Sequence, residues 1–343
     1  MAEKKVSSSA KGKNGNDPVA EAKSAGKTNK VTGSLVKCEV KIENGDWLSP
    51  TSCASFRIDA DAEFPEIIYE IKTDIEGPYH WDWEIKWPVQ ACPQRRDRER
   101  FKPKKSKTFL EVGQFTSMSR KWTANLNEKV IGGQLTVKVK AGVTTFVRKS
   151  FILGCEPGEA KILAELEKFK PSYSKEAELA KKIFLQESKF RHFFSDDQPL
   201  VSFDNGYGLG QATEPLPSFE QAWNWKAHIR YIVTVVIKEK RSKAKKYLDE
   251  RGGYTEDDLD LETLVYYNGA KHHYLVWNEA NSKWEVNKGV LCDPSQSNTG
   301  WNLSLTENKG KTLEQLRKGE GSKPSYTGRC YAEHIKKNQE AKK

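Results

Sequence analysis

The chain has 343 residues, of which 36% are hydrophobic, and 57 Lys and Arg against 47 Asp and Glu give it a net charge of +10. This length favours more than one domain. No apolar run approaches the roughly 18 residues of a transmembrane helix, so we expect no membrane span. The stretch Met1–Ser9 is charged with no apolar segment behind it, which predicts no Sec-type signal peptide. The basic balance suits an anionic partner such as nucleic acid, a membrane surface or the bacterial wall.

The N-terminal part reads as a polar tail followed by a β-domain. Residues 1–34 contain almost no large apolar side chains, which predicts a disordered basic tail. Residues 35–156 show short alternating segments, as in Val36–Ile42, and the stretch His80–Trp87 alternates strictly. A turn at Gly142 between two further alternating segments predicts a hairpin. We therefore expect an all-β immunoglobulin-like sandwich, in which the aromatic stripe of the alternating strand forms core rather than a carbohydrate platform.

The hydrophobic period becomes helical after Glu156-Pro157-Gly158, so residues 157–343 are predicted to form a second, mainly α domain. Helices are expected at 159–169, 175–190, 218–248, from the capping pair Thr255 and Asp258 to Tyr267, and near Tyr331. Residues 278–325 are rich in Asn, Ser, Gly and Lys, which indicates a long surface insertion. The chain is thus expected to be multidomain.

Six cysteines stand at positions 38, 53, 92, 155, 292 and 330, without any C-x-x-C pair. Disulfides and buried free thiols are both compatible with this spacing, and six cysteines allow 15 full pairings. The adjacent histidines His272 and His273 do not readily converge with Cys292 on one ion. We expect no metal and no cofactor.

Glu187 is the first candidate for chemistry. It falls along the apolar stripe of the 175–190 helix, which contains Ala180, Ile183 and Phe184. A carboxyl group on a buried face has a raised pKa, as a general acid needs near neutral pH. The alternative is a carboxylate that merely frays into solvent at the end of a helix.

A glycine-rich turn follows, with Gly206, Gly208 and Gly210 leading to Gln211 and with Tyr207 placed to border a sugar ring. The pattern Glu187-Ser188 … Gly208-Leu209-Gly210-Gln211, with Tyr267-Asn268 further on, resembles the catalytic core of soluble lytic transglycosylases and goose-type lysozymes. Members of that superfamily cut the glycan strands of bacterial peptidoglycan. The resemblance covers about residues 160–275 and the helix near Tyr331.

The resemblance implies a lysozyme-like catalytic domain that cleaves the MurNAc-β-1,4-GlcNAc bond with Glu187 as general acid/base. Ser188 and Gln211 would line the sugar subsites, and Tyr267 would sit over the carboxylate. Asn268 would contact the substrate beside Tyr267; the family segment is Tyr-Asn-Ala-Gly, and here Gly269 follows Asn268 directly without the Ala.

A hydrolase also needs a second carboxylate. Asp204 is the first candidate, although it is out of register with the family, and Asp196, Asp197 and Glu214 are others. A transglycosylase needs one carboxylate only. The sequence leaves hydrolase and transglycosylase open.

A wall-cutting enzyme without a signal peptide resembles type VI secretion effectors and phage lysis enzymes. By that resemblance the protein is made in the cytoplasm, exported, and active in the periplasm or cell wall of a target bacterium. Its partners would then be peptidoglycan glycan strands, an immunity protein and the secretion apparatus.

Two other classes compete with this interpretation. One is a non-catalytic wall-binding or phage tail structural protein with a degenerate lysozyme fold. The other is nucleic-acid binding through the Lys-rich tails and the run Arg95–Lys107. That run lacks any recognised binding motif, and we therefore expect no nucleic-acid partner.

Overall fold

The structure is a computed structural model that describes residues 43–89 and 107–340. The predicted tail at 1–34, the alternating stretch Val36–Ile42 and nearly all of the Arg95–Lys107 run lie outside the described residues. Within them, strands dominate before residue 156 and helices dominate after it. The predicted order of a β part followed by a mainly α part is confirmed at that level.

Two sheets form the N-terminal part, which we call the β-domain (described residues up to Leu153). Its strands are β1 Trp47–Ser49, β2 Ala54–Arg57, β3 Ile68–Ile71, β4 Tyr79–Pro88, β5 Thr108–Ser117, β6 Lys121–Thr123, β7 Gly133–Ala141 and β8 Thr144–Leu153. One sheet has the order β2-β8-β7-β4-β5 and the other has the order β1-β3-β6. The pair β2 and β8 is parallel, whereas the neighbouring pairs of the larger sheet are antiparallel.

Strand β4 follows its sequence pattern closely. Trp81, Trp83, Ile85 and Trp87 are all buried, while the residues between them are exposed. The aromatic stripe therefore forms core, as predicted. The hairpin of β7 and β8 turns at Gly142, whose φ of 57° lies in the left-handed region that glycine adopts readily.

Helices make up most of the second part: α1 Glu159–Glu167, α2 Lys170–Glu187, α3 Phe219–Trp223, α4 Trp225–Tyr231, α5 Lys238–Asp249, α6 Glu256–Tyr267, α7 Leu313–Arg317 and α8 Gly328–Glu340. A π-helical segment, Ile232–Ile237, joins α4 to α5. The single helix predicted at 218–248 is wrong in one respect, because it breaks at Asn224. The Asn224 side chain accepts the Lys226 and Ala227 backbone N–H groups and so starts a new helix. The capping box of Thr255 and Asp258 is confirmed.

The region 278–325, predicted as a surface insertion, belongs to a folded unit that also includes the residues just before it. It contains β9 Leu275–Asn278, β10 Lys283–Val286, β11 Val290–Cys292, β12 Thr299–Asn302 and β13 Ser325–Tyr326, with α7 between the last two strands. Trp301 is buried within it at 2% exposure. A disulfide between Cys292 and Cys330 joins β11 to α8. Cys53 is disulfide-bonded as well, and Cys155 is a free thiol.

Five aromatic rings join the β-domain to the helices, and we call them the aromatic cluster: Trp87, Phe109, Tyr207, Phe219 and Trp223. The Trp87 ring centroid lies 5.3 Å from that of Trp223 and 5.4 Å from that of Phe109. It also meets the ring of Tyr207 edge-on at 6.2 Å. The core of the β-domain thus continues without a gap into the helical part.

This continuity predicts that Trp87→Ala destabilises the protein by about 3–5 kcal/mol and uncouples the two parts. Trp81→Ala is the matched control, because Trp81 is equally buried but packs against Phe115 and Trp122 inside the β-domain. In urea unfolding followed by tryptophan fluorescence and far-UV circular dichroism, Trp87→Ala should separate the two probes' transitions. Trp81→Ala should keep them coincident. An unchanged midpoint for Trp87→Ala would contradict the expectation.

Candidate functional site

Glu187 is the last residue of α2, and the backbone explains why the helix ends there. Ser188 N and Phe190 N each donate to the Phe184 carbonyl at 3.2 Å, and Ser188 Oγ donates to the same oxygen at 3.1 Å. Lys189 and Phe190 have positive φ values of 53° and 58°, which turn the chain sharply away from the helix axis. Ser188, predicted to contact a sugar, is 2% exposed, and its hydroxyl is engaged by the helix end in this structure.

The Glu187 carboxyl group lies among groups from three distant segments: Tyr331 of α8, Tyr267 of α6 and Asp204 of the glycine turn. The pKa of Glu187 is raised to about 7, chiefly by burial and also by the negative charge of Asp204, while the Tyr331 hydroxyl acts in the opposite direction. Part of the Glu187 surface remains accessible. The side chain therefore carries a proton near neutral pH and remains open on one side.

Tyr331 was not among the residues singled out for the site. Its ring is 1% exposed, and its hydroxyl has no hydrogen-bond partner at normal distance among the described residues. Burial, followed by the nearby charge of Glu187, holds the pKa of Tyr331 well above its usual value. Tyr331 is thus a neutral hydroxyl facing the acid. In the sequence, the only signal for Tyr331 was that the resemblance to lytic transglycosylases and goose-type lysozymes includes the helix near this residue.

Tyr267 links the glycine turn to the end of α6. Its hydroxyl donates to the Gly210 carbonyl, and a Cβ at Gly210 would lie 2.7 Å from that hydroxyl. Burial and then the charge of Glu187 hold the pKa of Tyr267 well above its usual value. The tyrosine is therefore neutral and near the acid, which is compatible with its predicted position over the carboxylate.

The glycine turn is held by its own backbone and by Gln211. The Gln211 side-chain Nε2 donates to the Gly208 carbonyl at 2.7 Å. Gln211 itself adopts a φ of 48°, a left-handed conformation that is uncommon for a residue with a side chain. A Cβ at Gly206 would lie 2.5 Å from the Gln211 carbonyl oxygen. Tyr207 is 1% exposed, so the structure places its ring in the aromatic cluster rather than on a surface open to sugar.

Two histidines on either side of Gly208 were missed by the sequence interpretation. His192 and His228 are fully buried, with ring centroids 5.0 Å apart. His228 Nδ1 lies 3.0 Å from the Gln221 carbonyl, which can only accept, so Nε2 is free to accept from Gly210 N at 3.4 Å. Burial lowers the pKa of His228 to about 4 and that of His192 well below its usual value. Both imidazoles are therefore neutral, and they pack against the glycine turn and support it.

A cavity of about 110 Å³ opens beside this turn. Its lining residues are Gln211, Ala212, Thr213, Glu214, Val236, Lys240, Tyr266, Tyr267 and Gly269. Two predicted substrate contacts, Gln211 and Tyr267, are among them. Asn268 stands next to this lining, at the C-terminal end of α6. Tyr267 connects the cavity to Glu187, because it lines the former and interacts electrostatically with the latter.

Of the carboxylates considered as partners of Glu187, Asp204 is the one whose charge acts on it. Asp204 is exposed, and the Ser202 hydroxyl donates to it. Asp197 pairs with Arg57 of β2 at 2.6 Å, and Asp196 accepts from the Gln198 backbone of its own loop at 3.3 Å, so both carboxylates are engaged away from Glu187. Glu214 lies on the exposed rim of the cavity.

Comparison with protein-family models, curated proteins and solved structures finds no match to this chain. None of the helices in the described ranges has both the length and the apolar character needed to cross a membrane. The function therefore has to be inferred from the site itself.

The crowding at Gly208 yields a direct test. A Cβ there would lie 2.7 Å from the His192 ring and 2.8 Å from the His228 ring, and φ is 60°. We expect Gly208→Ala to cost about 2–5 kcal/mol in unfolding free energy, from backbone strain plus overpacking. Gly252→Ala is the control, because Gly252 has a similar φ of 66° and nothing within 4 Å. It should cost about 1–2 kcal/mol. Equal losses of unfolding free energy for Gly208→Ala and Gly252→Ala in urea titrations would show that the His192 and His228 rings move aside without cost.

Proposed function

We propose that this protein is a peptidoglycan muramidase that cleaves the MurNAc-β-1,4-GlcNAc bond with Glu187 as general acid/base. The observation that carries the proposal is the state of Glu187. Burial raises its pKa to about 7, two neutral tyrosines face it, and a cavity adjoins one of them. A glycosidase acid requires such a proton at neutral pH.

We further propose an immunoglobulin-like accessory domain and a lysozyme-like catalytic domain. The strand orders β2-β8-β7-β4-β5 and β1-β3-β6, with a parallel pair at β2 and β8, support a two-sheet sandwich of the immunoglobulin kind. The helical part places its acid at a helix end beside a glycine turn, as the resemblance to lytic transglycosylases and goose-type lysozymes implies.

The reaction begins with the Glu187 proton. Protonated Glu187 donates to the glycosidic oxygen as the bond breaks, and positive charge develops on the sugar ring. In a transglycosylase the ionised Glu187 then acts as base toward the muramyl 6-hydroxyl, whereas in a hydrolase Asp204 would activate water. Asp204, whose charge already acts on Glu187, would favour the developing positive charge. Gln211 and Tyr267 line the neighbouring cavity and would position the sugar.

Glu187→Gln should lower the rate of glycan cleavage by roughly 10²–10⁴-fold, the usual contribution of a general acid. The wild-type rate should fall as pH rises through about 7, because the acid must be protonated and its pKa is raised to about 7. Muropeptides released from purified peptidoglycan are measured by mass spectrometry. Glu178→Gln is the control, since Glu178 lies on the same helix but pairs with Lys170. Equal activity of wild type and Glu187→Gln would remove Glu187 from the mechanism.

Asp204→Asn should move the alkaline limit of the activity to lower pH, because it removes a charge that raises the pKa of Glu187. The products then separate the two mechanisms. A free reducing end that disappears in Asp204→Asn indicates a hydrolase in which Asp204 activates water. Products about 18 Da lighter, retained in the variant, indicate a transglycosylase. Asp196→Asn should leave the pH limit unchanged, and an unmoved limit in Asp204→Asn would show that its charge does not reach Glu187.

For the biological setting we propose an antibacterial effector that is exported from the cytoplasm and acts in the periplasm or wall of a target bacterium. The net charge of +10 supports association with anionic wall polymers. An immunity protein for such an effector would act by covering the cleft beside Glu187.

A further inference from the structure

The disulfide Cys292–Cys330 ends one residue before Tyr331, whose hydroxyl acts on the proposed acid. Cys330 precedes Tyr331 in the first turn of α8, and Tyr331 faces Glu187. Cys292 belongs to β11 of the folded insertion, 38 residues earlier in the chain. A covalent bond therefore joins the insertion to the helical turn that presents Tyr331 to the acid.

Neighbouring residues leave space for the Cys292–Cys330 disulfide and contact its sulfurs. A Cβ at Gly300 of β12 would lie 2.7 Å from the Cys330 sulfur, so glycine leaves the space that the disulfide occupies. The Arg329 guanidinium contacts the Cys292 sulfur at 2.6 Å and donates to the Asn287 carbonyl at 2.6 Å. The guanidinium nitrogen that contacts this sulfur also pairs with the Glu333 carboxylate at 2.5 Å, so Arg329 ties the disulfide to the first turns of α8.

Access to the two sulfurs is unequal. Cys330 is 1% exposed, whereas Cys292 is half-buried. Cys292 is thus the more exposed cysteine of the pair, and exchange with an external thiol or disulfide would begin there and be completed by Cys330. This arrangement fits a bond that forms and breaks by exchange in the folded protein.

We propose that the Cys292–Cys330 disulfide is a redox gate for the proposed muramidase: it fixes the start of α8 so that Tyr331 faces Glu187, and the protein with both thiols reduced is weakly active. The gate rests on the proposed function of Glu187. An enzyme made in a reducing cytoplasm would remain restrained there and gain activity in an oxidising compartment such as the periplasm.

The chemistry of closure balances with a disulfide oxidant, either a disulfide-bonded oxidoreductase or a small-molecule disulfide. The Cys292 thiolate attacks one sulfur of the oxidant and releases the other as a thiolate. The Cys330 thiolate then attacks the Cys292 sulfur and releases the second thiolate of the oxidant. Two electrons and the two cysteine protons end on the oxidant, which leaves as two thiols.

The test compares the full-length protein in its oxidised form and after dithiothreitol, with thiol content counted by alkylation and mass spectrometry. We expect reduction to lower kcat on purified peptidoglycan by about tenfold or more with KM unchanged, because the positioning residue Tyr331 is displaced from Glu187 while the sugar subsites remain. The double variant Cys292→Ser, Cys330→Ser should show the low kcat in both conditions. Cys53→Ser should keep the full response, which excludes the disulfide of Cys53 as the cause.

Two further readouts separate a gate from a merely stabilising bond. The alkaline limit of activity should fall on reduction, because burial is the largest cause of the raised pKa of Glu187 and displacement of Tyr331 admits water to the carboxyl group. Hydrogen exchange of the amides at 328–333 should speed up on reduction without a change in α2.

The outcomes are distinguishable. No muropeptides from the oxidised wild type would overturn the proposed function, and the exchange of the amides at 328–333 would then decide alone whether the disulfide fixes this turn. An equal kcat and an unmoved pH limit in both redox states of an active enzyme would overturn the gate. Unchanged exchange at 328–333 would also overturn it.

Discussion

Removal of water from one carboxyl group is the constraint on which the rest of this site depends. Glu187 keeps its proton near neutral pH because burial opposes its ionisation. That burial is assembled from the end of α2, the glycine turn, the end of α6 and the start of α8. Each segment has to be fixed by its own means, because a carboxyl group that gains water regains an ordinary pKa.

Each of these four segments is fixed by a different device. The Phe184 carbonyl collects three donors and ends α2 at Glu187. The glycine turn is wedged between the neutral imidazoles His192 and His228. Tyr267 ties that turn to α6 through the Gly210 carbonyl. A disulfide holds the first turn of α8. The site is therefore preorganised, as electrostatic catalysis requires.

What the sequence predicted correctly rests on local patterns. Alternation in β4 and the capping box at Thr255 depend on neighbours in the chain, and both appear in the structure. Glu187 lies at the end of the apolar stripe of its helix. The break at Asn224 was missed because helix-compatible residues flank it and only the side-chain cap marks it. Local patterns therefore give the elements and the candidate acid.

The remaining features depend on contacts between distant segments. Tyr331 faces Glu187, Cys292 meets Cys330, and Tyr207 turns into the aromatic cluster. A single sequence carries no periodic signal for such pairs, since each depends on how whole elements pack. The same holds for the histidines that flank Gly208, which stand in unrelated parts of the chain.

The aromatic cluster sets a limit on how this protein can be rearranged. A fragment beginning after residue 157 would lack Trp87 and Phe109. The rings of Phe219 and Trp223, which are 7% and 0% exposed in the full protein, would then be exposed to solvent. Such a patch of large apolar rings promotes association with other chains. The helical part is thus not expected to fold as an independent domain. A chimaera with a different N-terminal domain would be stable only if that domain supplied a tryptophan side chain at the position of Trp87.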